Sequence, residues 1–180
     1  MAAEAYRDRD IDCRVYTYKD GMLSRLGHDL ALRVTRGELR LDRQAGEVSA
    51  TFDPSSLKVL GAVRDGEVDA SVLSALDRKL IERATRKDVL EARRFPEVSF
   101  RSVRVEGRGE GRFRIEGELT LHGRTHPLRL DAEGKAGRLE AEAMIHQPDF
   151  GITPYRAALG GLRVRPEVRV VVTVPVADRA

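Results

Sequence analysis

Between Gly111 and Gly134 the chain reads GRFRIEGELTLHGRTHPLRLDAEG, and its apolar residues fall on every second position. Phe113, Ile115, Leu119 and Leu121 share one phase, with Gly117 in the middle slot, and Arg114, Glu116, Glu118 and Thr120 share the other. Period-two alternation gives a strand one buried face and one wet face. The pattern returns with Leu128, Leu130 and Ala132 set against Arg129, Asp131 and Glu133. Between the arms, Gly123 can supply the positive φ of a tight turn, and Pro127 suits a strand start or an edge. The stretch therefore predicts a long antiparallel hairpin.

The same grammar recurs on both sides of it. Ile11, Cys13, Val15 and Thr17 alternate, as do Val48, Ala50 and Phe52, then Leu139, Ala141, Ala143 and Ile145, then Val164 and Val168 to Val176. Leu30, Leu32 and Val34 are in even phase, but Leu39 and Leu41 are odd, which predicts a β-bulge at Gly37. Val98 and Phe100 give way to Val103 and Val105, which predicts a second slip near Ser102. Asp53 to Leu60 reads as an extended continuation broken by Pro54, and Met22 to Asp29 as a short helical turn over one sheet end. Alternation stops over residues 69–92. There Val72, Leu73, Leu76, Leu80 and Ile81 take three- and four-residue spacing, predicting a helical segment. Asp69 is the expected N-cap, and Thr85 with Asp88 the expected start of a second short helix with Val89 and Leu90 inward.

About eight strands joined mostly by short turns favour a meander closed into a barrel. Its inward set is rich in small residues, Ala50, Gly117, Ala132, Ala141 and Ala143 among them, so free apolar volume is expected inside. A chain of 180 residues suits one domain, here 1–180. The 32 Lys and Arg nearly balance 29 Asp and Glu, and they alternate along strands without a basic run, which argues against nucleic-acid binding. Cys13 is alone, so no internal disulfide forms. The first residues carry no apolar leader, and no apolar run reaches membrane-spanning length. The expectation is a soluble cytoplasmic protein without a membrane span.

Four ordered motifs carry a family resemblance. They are Leu26-Gly27-His28-Asp29-Leu30, Phe95-Pro96-Glu97-Val98-Ser99-Phe100-Arg101-Ser102, Gly117-Glu118-Leu119-Thr120-Leu121-His122-Gly123 and Asp149-Phe150-Gly151-Ile152. With these the chain resembles the YceI-like family, the lipocalin-like polyisoprenoid-binding proteins. The resemblance implies a mainly β fold: an eight-stranded antiparallel lipocalin-like β-barrel with one inserted helical segment at 69–92. It implies a deep apolar tunnel for the tail of an isoprenoid quinone, a polyprenyl or a fatty-acyl molecule. It further implies a non-catalytic carrier with no cofactor or metal, and a homodimer as one assembly state. Many members carry a signal peptide, which this chain does not show. Laid on this sequence, the expected ligand-binding residues of interior and mouth are Leu26, His28, Leu32, Val34, Ala50, Phe52, Phe100, Phe113, Ile115, Leu119, Ala141, Ala143, Ile145, Phe150, Ile152, Tyr155 and Val170.

Two other readings stand beside the carrier. One is an enzyme of unknown reaction on the same scaffold, using His28 with Asp29 or His122 with His126. No nucleophile–base set or paired carboxylates accompany these groups, and two histidines fall short of the three or four ligands of a zinc site. The other is a filled barrel acting through its surface.

Overall fold

In the computed structural model the described residues are 3–20, 27–157 and 161–176. Most of the helical turn expected at Met22–Asp29 lies outside them. Fourteen strands are found among the described residues: β1 Glu4–Arg7, β2 Asp12–Thr17, β3 Lys19–Asp20, β4 Asp29–Val34, β5 Gly37–Asp42, β6 Glu47–Phe52, β7 Leu57–Arg64, β8 Glu67–Asp69, β9 Val98–Gly109, β10 Arg112–Leu121, β11 Arg124–Lys135, β12 Arg138–His146, β13 Arg163–Val164 and β14 Glu167–Pro175. Twelve make one antiparallel sheet in the order β1-β5-β6-β9-β10-β11-β12-β14-β2-β4-β7-β8, and β3 pairs with β13 apart from it.

The two ends of this sheet are the two halves of one long hairpin. β5 pairs with β6 while β4, the same strand upstream, pairs with β7, the same strand downstream. β6 leads the ladder round to β9, and β4 leads it the other way to β2. The sheet therefore closes on itself through a bend in continuous chain, and a barrel results. The fourteen segments exceed the expected eight because both strands of that hairpin are cut at the bend, because short β1 and β8 flank it, and because β3 and β13 pair apart from the sheet.

The bend replaces the bulge expected at Gly37. Thr35 and Arg36 leave the ladder, and both backbone N–H groups donate to the buried Ser56 hydroxyl, at 3.1 and 3.0 Å. That hydroxyl donates to the Asp53 carbonyl at 2.7 Å. Pro54–Ser56 is a 3₁₀ turn capped by the Asp53 carboxylate, which accepts from Ser55 N–H, so the stretch is not extended as expected. Two backbone donors that would be orphaned at a corner are met by one side chain. The slip near Ser102 is a true bulge: β9 loses register with β10 between Glu116 and Gly117, and Val103 is thrown outward to 77% exposure.

The hairpin at 111–134 forms with a tighter turn than expected. Leu121 pairs with Arg124, leaving only His122 and Gly123 at the tip, both at positive φ (52° and 73°). Pro127 sits inside β11, on the stretch that pairs with β10 alone, since β12 joins only from Asp131.

The helix α1 covers Ala75–Ala84. Its N-cap is Ser74, in a capping box with Asp77, and not Asp69, which ends β8 and accepts from Ser71 N–H. Nor does Thr85 start a second helix. The chain widens there into a π turn over Thr85–Val89, with the Thr85 hydroxyl donating back to the Ile81 carbonyl at 2.8 Å. α1 lies against the open side of β7, where the Val59 N–H donates to the buried Glu82 carboxylate at 3.0 Å. Arg86 holds the other Glu82 oxygen at 2.7 Å, so the buried charge is paired.

Candidate ligand-binding cavity

The alternation that makes each strand also aims half its side chains at one internal space. A cavity of about 960 Å³ runs inside the barrel, with an almost wholly apolar lining. The phases read from the sequence point inward as expected, except at Val103, which the bulge turns to the outside while Val105 lines the cavity. Leu30, Leu32 and Val34, then Leu39 and Leu41, all line it, so the phase change across the bend keeps both halves facing inward. Ala50, Phe52, Phe100, Phe113, Ile115, Leu119, Ala141, Ala143, Ile145, Ile152, Tyr155, His28 and Val170 line it as well. Leu26 lies outside the described residues.

Phe150 is the exception. It is buried at 3% exposure but does not line the cavity. β11 and β12 part beyond Asp131, and the 3₁₀ turn Gln147–Phe150 packs beside the freed part of β11. There Phe150 meets the His126 ring edge-on at 5.2 Å and packs with Leu119 and Ile145. It belongs to the wall.

The expected site residues left out the helical side of the lining, of which only Val89 and Leu90 were expected to face inward. Leu73, Leu80, Ile81, Ala84, Val89 and Leu90 close part of one barrel end. Their three- and four-residue spacing marked a helical face, but nothing local said what that face would cover. Leu128, Leu130 and Ala132 were in the right phase and also line the space.

Polar lining residues gather towards the ends. Lys19, His28, Tyr155 and Arg163 stand where β2 finishes and β14 begins, and Asp42 and Arg43 stand at the opposite end, by the turn between β5 and β6. Cys13 is a buried lining residue whose thiol is pushed up to about 12, first by desolvation and then by the Asp12 charge.

The histidine pairs do not form reactive sets. Asp29 accepts from the Lys19 backbone N–H at 2.8 Å, which joins β3 to the start of β4. His122 Nε2 lies 2.7 Å from Glu91 Oε2, and Nδ1 lies 3.3 Å from the Phe150 carbonyl. Its ring packs on Phe95 with centroids 4.3 Å apart. His126 faces Phe150 and not His122. Among the described residues no group of three or more His, Cys, Asp or Glu is placed to hold a metal.

Three of the four motifs that carried the resemblance, those with Phe95, His122 and Phe150, thus meet in one knot. Phe95 packs under the His122-Gly123 tip, where a β-carbon on Gly123 would strike the Phe95 ring. Gly151, at φ 69°, lets the turn after Phe150 pass against Arg124. The YceI-like domain model matches residues 25–176. The chain belongs to the YceI-like family. A UPF0312 protein of Vibrio cholerae is 26% identical over 123 residues, 63% of this chain and 63% of that protein, so the match spans less than two thirds of the relative's length. Protein YceI of Salmonella arizonae is 34% identical over 116 residues, covering 57% and 58% of the two chains. Among solved structures, BcnA of Burkholderia cenocepacia aligns at TM-score 0.61 and 13% identity over 94% of this chain and 98% of its own. A polyisoprenoid binding domain from Saccharophagus degradans aligns at TM-score 0.56 and 13% identity over 98% and 99%. At such identities these two share the YceI-like fold, and the likeness extends no further.

Proposed function

We propose that this YceI-like chain is a carrier that holds one long apolar molecule, an isoprenoid or acyl lipid, inside the barrel and performs no bond chemistry on it. The observation that carries the reading is the cavity of about 960 Å³, lined by apolar side chains from around the whole sheet. Burying a hydrocarbon tail there is favourable by about 0.8 kcal/mol per methylene. An apolar wall discriminates one tail from another only weakly, at roughly 1–3 kcal/mol per methylene gained or lost. A polar head fits at the end where Lys19, His28, Tyr155 and Arg163 stand, since the rest of the lining offers it few partners. The name of the Saccharophagus relative, a polyisoprenoid binding domain, supports the choice of ligand class.

Protein purified without added ligand is expected to carry a co-purified lipid or quinone. Native mass spectrometry followed by organic extraction tests this. A clean unliganded mass, with no uptake of prenyl or acyl probes, would overturn the carrier reading.

A further inference from the structure

Helix α1 has two apolar faces, and only one faces the barrel. Leu73 and Ile81 pack on Leu32, Leu57 and Val59. Leu76 points away at 65% exposure, and Leu80, at 56% exposure, stands between that outer face and the barrel. Leu76, Lys79, Leu80 and Arg83 fall at i, i+3, i+4 and i+7, which is one stripe of a helix, and all four are exposed. Lys87 follows on the π turn and is exposed too. Among the described residues Lys79, Arg83 and Lys87 make no ion pair. Of the nearby carboxylates, Asp77 is engaged in the cap with Ser74 and Glu82 with Arg86 and Lys58, while the exposed Asp88 follows Lys87 on the π turn. The outer stripe is therefore two exposed leucines framed by Lys79 and Arg83, neither of which forms an ion pair among the described residues, with Lys87 and Asp88 beyond.

Leu80 also lines the cavity. It stands on the rim, with Ala84 on its inner side in the lining and Leu76 one turn away on the outer face. Apolar surface thus continues from the interior to the exposed stripe.

We infer that the outer face of α1 docks on an anionic lipid bilayer, with Leu80 as the threshold over which the ligand passes. This rests on the carrier reading. The cations select an anionic surface, and leucines flanked by Lys and Arg match the composition of helices that lie in a bilayer interface. A second copy of the chain is the poorer occupant, because two-fold pairing of this stripe would set like charges against each other. A lipid surface also gives a departing tail a continuous apolar path, which an acidic protein would not.

The test is co-sedimentation of the whole protein with phosphatidylcholine vesicles, with and without phosphatidylglycerol. Binding is expected only with the anionic lipid and should weaken with salt. Lys79→Glu with Arg83→Glu should lower it by about tenfold or more. Leu76→Ser with Leu80→Ser should lower it and slow transfer of a fluorescent fatty acid to vesicles, while Leu76→Ser alone keeps equilibrium probe uptake. Circular dichroism of each variant reports its folding. Equal binding to neutral and anionic vesicles, no binding at all, or loss of a dimer in the leucine variant by analytical ultracentrifugation would overturn the docking proposal. Failure of probe uptake in solution would instead overturn the carrier reading, and the two failures are read separately.

Discussion

Cys13 reports on the interior at the scale of a single residue. Its thiol lines the cavity, and burial raises its pKa from 9.0 to about 12. The neutral thiol is thus favoured by the folded state. That preference adds stability in full below pH 9 and is lost as the pH rises from there through about 12. A buried neutral thiol is a poor nucleophile. Ellman's reagent at about pH 8 should therefore label the native protein far more slowly than the protein in guanidinium chloride. Equal rates would place Cys13 at the surface. Its inward phase was readable from Ile11, Cys13 and Val15, because alternation is a local property. Gly117 shows the opposite case. It filled a slot where an apolar side chain was due, and the reason lies across the sheet: the Phe100 ring and the Arg101 carbonyl occupy the place of a β-carbon. His122 is similar, since Glu91, Phe95 and the Phe150 carbonyl reach it from distant parts of the chain.

Among the elements, the bent hairpin from Asp29 to Arg64 decides whether the barrel closes. Its corner depends on Ser56, whose hydroxyl accepts from two backbone N–H groups. Ser56→Ala leaves both donors without that acceptor in a partly buried site. The expected cost is about 2–3 kcal/mol, read as a lower denaturation midpoint with an unchanged slope. A change under ~0.5 kcal/mol would mean that water replaces the hydroxyl. The phase change was legible in Val34 and Leu39, but its form was not. A bulge and a corner shift alternation alike, and the difference lies in contacts between Thr35, Arg36 and Ser56, about twenty residues apart. The start of α1 was misplaced for a related reason. Asp69 and Ser74 are both good caps by type, and only the carboxylate of Asp77 closing back on Ser74 separates them. The motifs that revealed the family were legible because of their order. Three of the four lie in the knot around His122 and Phe150, whereas the cavity is lined largely by interchangeable Val, Leu and Ala.

For the whole molecule, the carrier reading separates a cavity from a core. Ala141 lines the space on β12, between Ala132 and Val172 of the neighbouring strands. In a vacant interior, Ala141→Trp should lower acyl-probe uptake by about tenfold or more while leaving the unfolding free energy within ~1 kcal/mol. Parallel losses in isothermal titration and chemical denaturation would mean that the side chain had been forced into packed protein. The manner of closure matters here too. A cylinder joined by a hydrogen-bonded seam can widen only by unzipping it. This one is joined by a crease in unbroken chain pinned at Ser56, so on the carrier reading a change of angle there would let a single container fit guests of unequal girth.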